Sequence, residues 1–125
     1  MQDELIRMFK ILPDGTVETM KINPVDFDLS ITCETGGPAR IIIGDPDILV
    51  DGNILVCDRE EFTGLEPNPV ASYLNIYGYG RNIYGTAIVA KLGKTVNGYG
   101  VCDFEDQEYA AVTKILKDTV AMIYG

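Results

Sequence analysis

The chain has no histidine and only three cysteines, which excludes several classes of site. Without histidine there are no histidine general bases, no Ser–His or Cys–His nucleophile pairs and no histidine metal ligands. Cys33, Cys57 and Cys102 are far apart and form no C-x-x-C pair. This pattern predicts reduced, mostly buried thiols in a cytoplasmic protein. We therefore expect no catalytic residues, no metal and no cofactor.

Basic residues are also scarce, with 10 Lys and Arg against 19 Asp and Glu and a net charge of −9. This balance argues against direct binding of nucleic acid, which needs a basic face. The sequence shows neither a signal-peptide pattern nor an apolar run of roughly twenty residues, so we expect no membrane association. The excess acid either keeps the protein soluble or imitates a polyanion.

The length of 125 residues fits one domain, residues 1–125, that is large enough to bury its own core. Asp14-Gly15 between the extended runs 5–11 and 16–22 predicts a β-hairpin. Further strands are predicted over 39–43, 54–57 and 84–92, helical turns over 24–29 and 70–75, and loops over 33–38 and 97–100.

The C-terminal part predicts an amphipathic helix with Asp103 as its N-cap. Its apolar residues recur at spacings of three and four, on one face of the helix. They are Val112, Ile115, Leu116, Val120 and Ile123. We expect an α+β fold in which a small, mostly antiparallel sheet is covered by this helix.

One stretch, from Pro67 to Cys102, contains no acidic residue, and we call it the acid-free window. It contains a run rich in tyrosine and glycine over residues 77–85. Glycine admits a ligand close to the backbone, tyrosine can stack on a base, and arginine can pair with phosphate. The candidate ligand-binding residues are Asn68, Tyr77, Tyr79, Arg81, Asn82, Tyr84, Lys91 and Tyr99.

Each of these candidates has a structural alternative. The Tyr-Gly run lacks a phosphate-loop or dinucleotide motif, and it could be a loop whose tyrosines pack as half-buried cover. Asn68, between Pro67 and Pro69, could bond its own backbone to shape the turn. Acidic residues also cluster within 45–51, 58–61 and 103–108. Asp45-Pro46-Asp47 begins like a calcium loop but does not complete one, which favours a solvated surface and helix capping.

Three segments together resemble a family of small domains of unknown function found in bacteriophages and mobile elements. They are 37–42 (GPARII), 55–68 (LVCDREEFTGLEPN) and 83–89 (IYGTAIV). The resemblance covers roughly residues 7–116. It implies a small α+β fold and a phage or mobile-element origin, but no activity and no catalytic residues. The segment 77–81 lies where the family has a variable connection.

These observations favour a non-enzymatic accessory protein in the cytoplasm of a bacterial host. The leading hypothesis is counter-defence, in which the acid-free window binds a nucleotide-like immune signal, with homo-oligomerisation completing the pocket. The alternative is an acidic DNA mimic that binds a nucleic-acid-handling defence protein. A small hydrolase that uses a carboxylate or Cys102 is the third hypothesis.

Overall fold

A computed structural model describes residues 5–23, 39–43, 53–58, 66–74, 83–95 and 98–125, with the backbone alone over 39–43 and 53–58 and at Thr95 and Tyr99. Six strands and two helices lie in these ranges. The elements are β1 (Ile6–Ile11), β2 (Val17–Ile22), β3 (Ala39–Ile43), β4 (Asn53–Asp58), α1 (Pro69–Leu74), β5 (Ala87–Thr95), β6 (Gly98–Cys102) and α2 (Asp106–Tyr124).

The six strands form one sheet in the order β2-β1-β5-β4-β3, with β6 paired to β5, and every pairing is antiparallel. The central strand β5 pairs with β4 over Ala87–Lys91. Its opposite edge pairs first with β1, where Val89 faces Phe9, and then with β6, where Lys91 faces Cys102. With α2 present, the predicted α+β fold is confirmed.

The predicted hairpin joins β1 to β2 through a tight turn. Leu12 and Thr16 close it with a backbone hydrogen bond of 2.9 Å, and the Asp14 carboxylate accepts the Thr16 N–H at 2.9 Å. Gly15 has a φ of 91°, a conformation that side chains disfavour. The end of α2 lies against this turn, because the Tyr124 hydroxyl donates to the Pro13 carbonyl at 2.9 Å.

Alternation along the strands gives the sheet two apolar faces. On one face, Phe9 and Val89 are buried in a cluster that includes Val112 and Leu116 of α2. Ile115, Val120 and Ile123 pack partly buried against the same cluster. The predicted apolar face of the C-terminal helix is therefore confirmed. On the other face, Met8, Ile88 and Ala90 form a second buried cluster.

Two local predictions were wrong. Residues 97–100 were predicted to be a loop, but β6 begins at Gly98, because pairing with β5 outweighs a glycine-rich composition. The N-cap of α2 is Glu105, not Asp103, and Glu105 forms a capping box with Glu108. Asp103 instead accepts two hydrogen bonds from Arg7, one from the backbone N–H and one from Nε.

Other boundaries moved by a few residues. β5 spans Ala87–Thr95 instead of 84–92, since Tyr84 forms only an isolated bridge with Pro67. The helical turn predicted over 24–29 and the loop predicted over 33–38 lie outside the described residues. In the part of the chain that the structure describes, no helix is long and apolar enough to cross a membrane.

Candidate functional site

Asn68 lies at the start of the acid-free window, and its side chain is fully buried. Its amide nitrogen donates to the carbonyls of Ile11 at 3.0 Å and Gly85 at 2.8 Å. Its amide oxygen accepts the Ala71 N–H at 3.1 Å, which caps α1. One side chain thus joins β1, the segment before β5 and the first turn of α1.

This geometry gives Asn68 an internal structural role. Both amide hydrogens and the amide oxygen are used within the protein, and the side chain has no contact with solvent. The arrangement agrees with the alternative in which Asn68 shapes the local backbone, and it adds a tie to β1. The described contacts leave Asn68 no free donor for a ligand.

Both backbone polar groups of Ile83 are bonded, one to Asn68 just before α1 and one to Ser72 within α1. Its carbonyl accepts the Asn68 N–H at 2.7 Å, and its N–H donates to Ser72 Oγ at 2.7 Å. The Ser72 hydroxyl in turn donates to the Asn68 carbonyl at 2.8 Å. Leu74 and Ile83 are both fully buried, so the two positions that flank residues 75–82 are fixed in the core.

The candidates Tyr77, Tyr79, Arg81 and Asn82 lie within 75–82, outside the described residues. Tyr84 follows Ile83 directly; it is half-buried and forms a bridge with Pro67. Gly85 continues this contact, because its N–H donates to the Glu66 carbonyl at 2.7 Å. Tyr84 and Asn68 therefore belong to one structural unit, formed by residues 66–74 and 83–86, which we call the α1 platform.

Lys91 has a different environment from the one its sequence neighbours suggest. Its Nζ donates a short hydrogen bond to Glu108 Oε1 of α2, and both side chains are largely buried. The hydrogen bond to Glu108 raises the pKa of Lys91, against the effect of burial. The hydrogen bond from Lys91 likewise lowers the pKa of Glu108. The acid-free window therefore has an acidic side chain, that of Glu108, against it in the folded structure.

Tyr99 pairs with the end of β5 that is farther from the α1 platform. Its backbone pairs with that of Lys94, whose side chain is exposed. From Ala87 to Lys94 the strand advances seven residues, or about 23 Å. The described candidates thus do not meet at one place, because Asn68 and Tyr84 are at one end of β5 and Tyr99 is at the other.

Two acidic residues near the start of α2, Asp103 and Asp106, form ion pairs with Arg7. Arg7 Nε lies 3.0 Å from Asp103 Oδ1, and its Nη1 lies 3.2 Å from Asp106 Oδ1. The guanidinium also donates to the Phe104 carbonyl at 2.5 Å and lies 4.5 Å from the centre of the Tyr109 ring. Burial would raise the pKa of Asp103, but its bonds with Arg7 lower it overall.

Cys102, at the end of β6, is half-buried and not in a disulfide. Burial raises the pKa of its thiol, although the nearby Lys91 ammonium opposes this shift. A raised pKa lowers the thiolate fraction at neutral pH and so does not favour a nucleophile. Among the described residues, no group of three or more acidic or cysteine side chains could hold a metal ion.

Comparisons with known proteins found one similar solved structure and no matching family. No protein-family model and no curated protein matches the chain. Among solved structures, it is similar to part of the crystal structure of the small RNA methyltransferase HEN1, with a TM-score of 0.57 and 17% identity. The match covers 90% of this chain and 16% of that chain. At this identity the likeness shows the fold alone.

Proposed function

We propose that the protein is a non-enzymatic accessory protein of a phage or mobile element that acts in the bacterial cytoplasm. It sequesters a nucleotide-like immune signal and so interferes with host defence. The ligand contacts are Tyr77, Tyr79 and Arg81, with Asn82 and Tyr84 beside them.

The observation that carries the proposal is the anchoring of the positions that flank the Tyr-Gly run. Leu74 and Ile83 are fully buried, and Ile83 is bonded to Asn68 and Ser72 of the α1 region. Binding residues are often found on connections that a rigid scaffold holds in place. The α1 platform is such a scaffold, and Arg81 is two residues before the buried Ile83.

The binding free energy expected from these contacts favours a site shared between protomers. Stacking of a base on tyrosine contributes about 1–3 kcal/mol, and a hydrogen bond between arginine and phosphate about 1.5–3 kcal/mol. Two stacks and one such bond give roughly 4–9 kcal/mol before ordering costs, whereas micromolar binding needs about 8 kcal/mol. The contacts of one protomer therefore barely give the micromolar affinity that sequestration needs. A homo-oligomer is for this reason part of the proposal.

The alternative, an acidic DNA mimic, has less support from the described residues. It relies on Asp103 and Asp106 together with Glu60 and Glu61, of which the last two lie outside the described residues. Asp103 and Asp106 both pair with Arg7, so their charge is partly neutralised within the protein. A mimic presents uncompensated charge, and its binding to a partner weakens strongly with salt.

Calorimetric titration with cyclic AMP and cyclic di-AMP tests the proposal. Arg81→Ala should weaken binding by about 10–150-fold, the worth of a charge-assisted hydrogen bond. Lys117→Ala is the matched control, because it removes an exposed cation on α2 and should leave affinity unchanged. Equal affinity of wild type and Arg81→Ala would contradict the proposal. Mimicry of DNA predicts instead salt-sensitive binding to a protein partner that is lost when Glu60, Glu61, Asp103 and Asp106 are neutralised.

A further inference from the structure

β2 lies at one edge of the described sheet. It pairs with β1 over its whole length, from Val17 to Ile22, and no other described strand pairs with it. It contains neither a proline nor a bulge, two features that keep an edge strand from pairing further. Glu18, Thr19 and Lys21 are exposed, so this edge of the sheet is open to solvent.

Hydrogen bonds of β1 show which backbone groups of β2 point to the outside. The backbone N–H of Arg7 and the carbonyl of Ile11 both bond groups outside β2, so they point away from it. In an antiparallel pair the residues directly opposite, Lys21 and Val17, then also direct their backbone groups away from β1. The outer edge of β2 therefore carries the N–H and C=O groups of Val17, Thr19 and Lys21, and no described residue bonds them.

A second copy of β2 fits these groups across a two-fold axis perpendicular to the sheet. Such an axis keeps the two faces of the sheet matched, so residues that pair are both odd-numbered or both even-numbered. Pairing Thr19 with its own counterpart also pairs Val17 with Lys21, and it uses all the outward groups of both strands. Centring the pair on Glu18 or on Lys21 would place like charges opposite each other, and centring it on Met20 would leave Val17 without a partner in the strand.

The register centred on Thr19 also brings a cation to the end of α2. Val17 packs against the same cluster as Ile123, and the Tyr124 hydroxyl reaches the hairpin turn beside β2. The last turn of α2 has no basic residue, although the C-terminal end of a helix carries partial negative charge. Lys21 of the second copy would lie opposite Val17 on this face, and the described ion pairs of its own chain do not include it. The two-fold axis forms this contact twice.

We propose that the protein forms a symmetric dimer through β2, so that the sheets of two copies join into one antiparallel sheet. The partner at this edge is a second copy of the chain, and the dimer forms with or without a bound nucleotide. It provides the homo-oligomer of the proposed function, and its interface depends only on described residues of β2 and α2.

Analytical ultracentrifugation and amide hydrogen exchange of the full chain test the dimer together. We expect the mass of two chains at high concentration and dissociation on dilution, because one strand pair is a small interface. The amides of Thr19 and Lys21 should exchange at least about 10-fold more slowly in the dimer than after dilution, the worth of one hydrogen bond. The amide of Met20 points to β1 and should not change. A monomer at every concentration, or a dimer in which Thr19 and Lys21 exchange as in the monomer, overturns the proposal.

Thr19→Pro removes an outward N–H at the axis but no bond to β1, so the single chain should still fold. The dimer loses two hydrogen bonds, and its dissociation constant should rise at least about 10-fold. Thr19→Val is the matched control, because it keeps the N–H and should dimerise like wild type. Circular dichroism confirms folding of both variants. An unchanged dissociation constant in folded Thr19→Pro overturns the proposal.

Lys21→Glu covers the case in which Thr19→Pro does not fold. It places an acid at the end of α2 of the other copy, so the dimer should weaken about 10-fold at low salt and less at high salt. Lys117→Glu changes the net charge equally on the exposed face of α2 and should leave dimerisation nearly unchanged. Equal effects of the two variants overturn the register. A β2 dimer that binds neither cyclic AMP nor cyclic di-AMP supports this interface while contradicting the proposed nucleotide site.

Discussion

Replacing Asn68 by alanine should be among the most destabilising single changes in the described part of the chain. Asn68 is fully buried and bonds Ile11, Gly85 and Ala71 with its side chain. Alanine removes the N-cap of α1 and leaves the Ile11 and Gly85 carbonyls without this donor. Three elements lose their shared contact at once.

The expected loss follows from these three bonds. Loss of an N-cap costs about 1 kcal/mol, and a buried group left unsatisfied costs about 1–3 kcal/mol each. Because the terms are not fully additive, we expect a loss of about 4 kcal/mol in the free energy of unfolding. An unfolding entropy of about 0.26 kcal/mol/K for this length converts that loss into a Tm lower by roughly 15 °C.

Urea unfolding followed by far-ultraviolet circular dichroism measures this loss. Gln107→Ala is the control, because Gln107 is exposed on α2 and should change stability by less than about 0.5 kcal/mol. Asn68→Asp separates the contributions, since it keeps the capping oxygen but loses both donors, and it should destabilise at least as much as Asn68→Ala. A loss below about 1 kcal/mol for Asn68→Ala would refute the assigned role.

Three further predictions concern the hairpin, the Lys91–Glu108 pair and the thiol. Gly15→Ala should cost about 1–2 kcal/mol in thermal unfolding, since φ is 91° and the new Cβ would lie 2.5 Å from Tyr124 Cε2; an unchanged Tm contradicts this. The hydrogen bond from Lys91 lowers the pKa of Glu108, so the stability that this pair contributes is lost as the pH falls to and below the usual range of a glutamate carboxyl. The urea midpoint of wild type should therefore fall more with acid than that of Glu108→Gln, and equal shifts would refute this. Cys102 should react with a disulfide reagent at neutral pH more slowly than free cysteine, tested with the other cysteines changed to serine; an equal rate argues against its raised pKa.

Local patterns in the sequence predicted the parts of the fold that depend on near neighbours. Asp14-Gly15 specifies the β1–β2 turn through the φ of Gly15, and the spacing from Val112 to Ile123 specifies the buried face of α2. In both cases the interacting residues are close in sequence, so composition and period carry the information.

Contacts between distant residues were not predictable in the same way. Residues 98–102 have a glycine-rich composition, and they become a strand only because β5 supplies their partners. Glu108 reaches Lys91 because the chain reverses through β6 into α2, which a linear count of acids does not show. The Ser72 hydroxyl bonds the Asn68 carbonyl four residues earlier, and for this contact the spacing from the N-cap asparagine is a local signal in the sequence.

The most direct test of the central claim is native mass spectrometry of the protein purified from bacteria with an active nucleotide-signalling defence. Wild type and Arg81→Ala are compared, and the same spectra report the oligomeric state. Sequestration predicts a small-molecule adduct on a wild-type oligomer that is absent from Arg81→Ala. Wild-type protein without an adduct under these conditions, or an equal adduct on both proteins, would contradict the claim.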